Sequence, residues 1–115
     1  MALYIVMGIN LEIEISIDDI HLILGDRFEQ EYVRRIHQAA CTGCGRHYNA
    51  ELNVSEIWLN HIGDVILEGT CQSCSSPLSL YLEVSNFKPS FDQAMAIRDL
   101  YINVLKNYNA RLAGS

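Results

Sequence analysis

Three things are scarce in this chain of 115 residues: basic charge, long apolar runs, and cysteine outside one pattern. No run approaches the roughly 20 consecutive apolar residues that a membrane-spanning helix needs. The apolar start, Met1 to Ile9, has no basic residue before it and no small-residue cleavage site after it. It lacks the form of a secretory signal, so we expect a cytoplasmic chain whose thiols stay reduced. Met7 is a second candidate start.

Basic side chains number 8 against 14 acidic ones, a net charge of -6. The shortage is sharpest in residues 38–85, where Arg46 stands alone against five acids. Phosphate binding is driven by clustered Lys and Arg that release counterions, so this stretch would repel a duplex. Missing too are a Ser/His/Asp arrangement, a phosphate-cradling glycine loop and an acidic metal cluster. We assign no catalytic residue and expect no enzyme.

The cysteines that are present carry the strongest signal. All four fall in two matched pairs, Cys41-Thr42-Gly43-Cys44 and Cys71-Gln72-Ser73-Cys74, with the 26 residues 45–70 between them. That interval suits a strand, a turn and a returning strand, which would bring the second knuckle beside the first. Four thiolates so placed would surround one metal ion tetrahedrally. Two disulfides are the competing explanation, and they need an oxidising compartment. A thioredoxin-like dithiol is another, and the sequence shows no βαβ pattern around either motif. Metal is the favoured reading, with Cys41, Cys44, Cys71 and Cys74 as its ligands.

Over 39–85 the sequence resembles a zinc ribbon of the broad rubredoxin-like group. Gly45 fits that pattern, since a residue just past the second cysteine often turns the chain with positive φ. The second knuckle departs from it, with Ser75-Ser76-Pro77 in the corresponding place. The resemblance implies one structural zinc ion with no coordination position open for water. It also implies that replacing any cysteine would unfold the ribbon. Rubredoxin-like iron for electron transfer is the alternative, though the second knuckle lacks the proline and glycine typical of rubredoxins. Nucleic acid is a frequent partner of zinc ribbons, and the charge argues against it here.

Local patterns outline an α+β fold in one domain: strand and helix over 1–38, ribbon over 39–85, and a long helix over 90–112. Leu3 to Ile17 reads as one or two strands, with Gly8-Ile9-Asn10 as a bend. Within it Leu11, Ile13, Ile15 and Ile17 share one face, and Glu12 and Glu14 point the other way. Asp18 or Asp19 would cap a helical turn that Gly25 interrupts. Phe28, Tyr32, Val33 and Ile36 predict a helix from Asp26 to about Arg35, followed by an extended approach to Cys41.

Ala50 to Leu59 predicts a strand that slips register near Ile57. A turn at 60–64 leads to a strand at 65–70, and Leu78, Leu80, Leu82 and Val84 alternate as the next. Asn86-Phe87-Lys88-Pro89 reads as a break before the last helix. Ser90 and Gln93 would form its capping box. Its stripe of Ala94, Ile97, Tyr101, Val104, Leu105, Tyr108 and Leu112, flanked by Phe91, Met95 and Ile102, is broader than a small ribbon covers. Packing on the N-terminal strand and helix would use part of it, and a protein partner or a homodimer would use the rest. Fraying is expected beyond Asn109. His47 is the one histidine near a knuckle, and His21, His37 and His61 receive no role. Trp58 and Tyr48 read as ribbon core, and the carboxylates as solvated faces.

Overall fold

A computed structural model describes residues 12–45 and 49–114, with 109–114 as backbone only. It is an α+β structure: a four-stranded antiparallel sheet, in the order β1-β2-β3-β4, with helices packed on it. Strand β1 is Ile13–Glu14, on the sheet edge, paired with Leu59 and Trp58. Ile13 and Ile15 are buried and Glu12 and Glu14 exposed, so the alternation is as the sequence predicts. The part of the predicted strand before Glu12 lies outside the described residues.

Helix α1 spans Ile17–Leu24, so Ile17 leaves the strand face and is 41% exposed. Its N-cap is Ser16, not Asp18 or Asp19. The Asp19 amide donates to Ser16 Oγ at 3.2 Å, and the Ser16 amide donates back to Asp19 Oδ2 at 3.0 Å. Asp19 therefore closes the capping box from the third helical position. Gly25 ends α1 with φ +58. The chain stays helical beyond it through a 3₁₀ turn at Gly25–Arg27, a wide π turn at Glu29–Val33, and α2 at Arg34–His37. The predicted helix thus runs two residues further, and the approach to Cys41 is only Gln38 to Ala40.

Strand β2 is Leu52–Leu59, β3 is Val65–Cys71 and β4 is Pro77–Leu82. The register slip in β2 lies between Val54 and Glu56, earlier than Ile57. Leu52 and Val54 face inward at even positions, and Ile57 and Leu59 at odd ones. The extra residue, Ser55, keeps both pairs on the core side, which is what a β-bulge accomplishes. Trp58 consequently falls on the outer face, only half-buried, with Nε1 donating to Glu56 at 3.0 Å. It is not ribbon core as expected. Tyr48 lies outside the described residues.

The carboxylate at Asp64 corrects the reading of all acids as solvated. It is 2% exposed, at the end of the β2–β3 turn. Its Oδ1 accepts from the Val84 and Ser85 amides at 3.0 and 2.9 Å, and its Oδ2 accepts from the Tyr81 hydroxyl. Asn60 Oδ1 accepts from the Ile62 and Asp64 amides, completing the turn. Burial alone would raise the Asp64 carboxyl, but the bonds from Tyr81, Ser85 and Val84 outweigh it and hold it below the ordinary range.

A depressed folded pKa means that the contribution is full above the unfolded value of about 3.9 and is lost as pH falls through the lower folded value. Asp64→Ala, which strands three donors, is expected to cost about 3 kcal/mol in urea unfolding at neutral pH. Asp64→Asn should flatten the acid limb of the stability curve, and an acid limb identical to wild type would refute this account.

Helix α3 spans Lys88–Gly114. It starts before Ser90, because Pro89 fits the first turn, where its missing N–H loses nothing. Ser90 is no cap. It is buried and accepts from Arg27 Nη1 at 3.3 Å, while Arg27 also stacks 4.0 Å over the Phe87 ring. The inner half of α3 packs on α1, and its Ala94 and Ile97 are buried in the main core. Tyr101 donates to Asp19, a bond that pushes its hydroxyl up to about 12. The backbone is helical past Asn109, where fraying was expected. Among the described residues no helix is long and apolar enough to cross a membrane.

Candidate metal centre

The main core, built around Ile20, Leu59, Leu67 and Leu82, lies at one end of the sheet. The cysteines sit at the other end, where β3 runs out at Cys71. A separate small cluster surrounds them, made of Cys41, Ala50 and Cys71 with Leu78 against it.

Backbone hydrogen bonds bring the two knuckles together. The Ala50 amide bonds to the Ala39 carbonyl at 2.9 Å, closing the chain around the first knuckle. The Gln72 amide bonds to the Glu51 carbonyl at 2.9 Å, tying the second knuckle to the segment that leaves the first. Leu52 pairs with Cys71, so the strand-turn-strand excursion of β2 and β3 returns as the 26-residue interval implies.

Each knuckle needs an unusual backbone. Gly45 follows the first with φ +74, as expected for that position. Ser75 adopts φ +63 in the second, so a serine does what a glycine does in the first. A side chain in that region is strained, and the turn around it supplies two bonds in compensation. The Ser75 amide reaches the Cys71 carbonyl at 2.8 Å, and the Cys71 amide reaches the Ser76 carbonyl at 2.9 Å. Asn49 and Glu51 also have positive φ, where the chain swings from the first knuckle into β2.

All four sulfurs lie within 4.8 Å of one another. Two of the sulfur contacts cross between knuckles: Cys41 to Cys74 at 3.6 Å and Cys44 to Cys71 at 3.9 Å. Tetrahedral bonds of about 2.3 Å put sulfurs about 3.8 Å apart, so a zinc- or iron-sized ion fits this donor set. No disulfide joins any two of the four cysteines. Among the described residues this is the one group of three or more His, Cys, Asp or Glu arranged to hold a metal ion.

Cys41 and Cys71 are buried, and Cys44 and Cys74 are exposed. The group is therefore embedded on one side and open to solvent on the other. Cys74 is already biased toward thiolate, the form that binds metal. Hydrogen bonds to the Ser76 side chain and then its backbone lower its pKa to about 6, against a small opposing effect of desolvation, with the Cys41 and Cys71 sulfurs adding to the bias.

Sequence reading missed two supports of this centre. Ser76 Oγ lies 3.2 Å from Cys74 Sγ. Gly43 allows the knuckles to close, because a Cβ there would stand 2.3 Å from Ser76 Oγ and 2.8 Å from Ser76 Cβ. Gly43 carries no signal in one sequence, because it matters only through the opposite knuckle. Ser76 acts within its own knuckle, two residues from Cys74, where serine reads as an ordinary turn residue.

The histidines stay outside the sulfur group where they are described. His37 Nδ1 is 3.1 Å from Glu51 Oε1, at the edge of the knuckles. His21 stacks on Phe28 at 3.7 Å, and His61 is exposed. His47 lies outside the described residues. Compared with protein-family models, curated proteins and solved structures, the chain matches none.

Proposed function

We propose that this chain is a zinc-ribbon-like protein, with one zinc ion held by Cys41, Cys44, Cys71 and Cys74, acting as an interaction or assembly module. The observation that carries the reading is the cluster of four sulfurs within 4.8 Å, made by two knuckles from distant parts of the chain. Four thiolates complete a tetrahedron, so the ion has no open position for water and its role is structural rather than catalytic. The small cluster of Cys41, Ala50, Cys71 and Leu78 supports that role, because so little apolar surface holds this end together without an ion. The assembly half of the reading rests on α3, which leaves Leu100, Val104 and Tyr108 exposed.

Metal content and the absorption spectrum of protein purified without added metal test this directly. One zinc per chain and no colour is the expected result. One iron with a red ferric-thiolate spectrum would replace zinc by the rubredoxin-like electron-transfer alternative, since the sulfur geometry accepts either ion. Oxidised thiols without metal would overturn both.

A further inference from the structure

We infer that two copies of this chain pair through the outer half of α3, each seating that helix in a groove on the other. The inference rests on the assembly reading above and names its partner. The groove, about 580 Å³, runs between β1 and α3 and is lined by Glu12, Ile13, Glu14, Leu100, Tyr101 and Val104. Its floor is apolar and its rim carries the two exposed glutamates.

The helix that borders the groove outruns the body it packs on. Ala94 and Ile97 are buried, and Tyr101 is half-buried, on the face toward α1. The same stripe continues through Val104 and Tyr108, yet each of those is 59% exposed. Every described side chain from Asn103 to Tyr108 is exposed, so the stripe has run past its cover. A 27-residue helix is about 40 Å long, and helical propensity alone stabilises such an outer half weakly.

Charge favours a second copy as the cover. Beyond Asp99 the chain has no acid, and it has two bases, Lys106 and Arg111. That segment carries net positive charge and no acid, so its approach to the rim of Glu12 and Glu14 meets attraction rather than repulsion. Stripe and groove adjoin on the same element, so one twofold axis satisfies both at once and the pairing closes at two.

The test is the mass in solution of the full, metal-loaded chain over a concentration series, by light scattering. Twice the chain mass is expected at high micromolar concentration, falling to the single-chain mass in Val104→Glu, with metal content and circular dichroism unchanged. Tyr108→Glu should do the same, and serves if the first variant folds poorly. Glu12→Lys with Glu14→Lys should weaken pairing several-fold at low salt, an effect that salt reduces. A wild-type chain that stays single overturns the pairing, and so does a dimer indifferent to both helix variants. The assembly reading fails separately, if wild type and Val104→Glu retain the same proteins from a lysate.

Discussion

Cys71→Ala is expected to abolish stoichiometric metal binding and unfold the knuckle end of the molecule, while the sheet core survives. Cys71 is fully buried and ends β3, so its loss removes one of the four clustered sulfurs and opens a void together. Binding free energies in small zinc-finger peptides run about 10–16 kcal/mol, and a site with three thiolates loses much of that. The remaining apolar cluster is Cys41, Ala50 and Leu78, too little to order two knuckles. The damage stops where the main core begins, around Leu67, Leu59 and Leu82. This is narrower than loss of the whole ribbon, which the sequence alone suggests.

Amide hydrogen exchange gives the measurement. Residues 39–45, 49–51 and 71–76 should lose protection, and Val65 to Leu67 should keep most of theirs. Metal per chain should fall from one toward zero. A variant with protected knuckles and no metal would mean that the ion is dispensable to the fold.

Gly69→Ala should destabilise the whole sheet by at least about 3 kcal/mol, lowering the thermal midpoint by about 10 °C or more. Gly69 sits in β3 opposite the bulge, paired with Val54 on one side and Leu78 on the other. A Cβ there would stand 1.7 Å from the Asn53 carbonyl oxygen, 2.8 Å from its carbon and 3.1 Å from the Ser55 nitrogen. These are backbone atoms held by the ladder, so no rotamer change relieves the contact. Either β2 and β3 part at the bulge, or the bulge is lost and Leu52 and Val54 turn away from the core.

Gly25→Ala supplies the contrast. That glycine has φ +58 with ψ -129 and nothing within 4 Å of a new Cβ, so only backbone strain of about 1–3 kcal/mol is expected. Equal midpoints for the two variants would show that crowding at the bulge is not what the glycine at 69 relieves.

The cysteine pairs, the three long strands and the last helix were all legible in the sequence, because each is announced by neighbours close along the chain. Alternating Leu78, Leu80 and Leu82 needs no partner to read as a strand, and two Cys-x-x-Cys motifs at this interval imply a shared ion. Capping was less legible. Ser16, Asp18, Asp19 and Ser90 are all good caps by residue type. The choice fell to Ser16 because Asp19 answers it locally, whereas Arg27, distant in sequence, binds the Ser90 hydroxyl. Trp58 was misplaced because the bulge at Ser55 reverses which positions of β2 face inward.

From the sequence by itself, then, came the fold class, the meeting of the four cysteines and the broad stripe of the last helix, all properties of spacing. Tertiary structure alone decided that Asp64 is buried among donors from β4 and the residues after it, and that Gly69 must stay bare beneath the bulge. It decided also that Gly43 must leave room for Ser76 of the other knuckle, and that the outer half of α3 projects beyond its cover. The physical reason is common to these. Burial, close approach and exposure are properties of what lies across a gap in space, and residues far apart in the chain carry no local mark of meeting there.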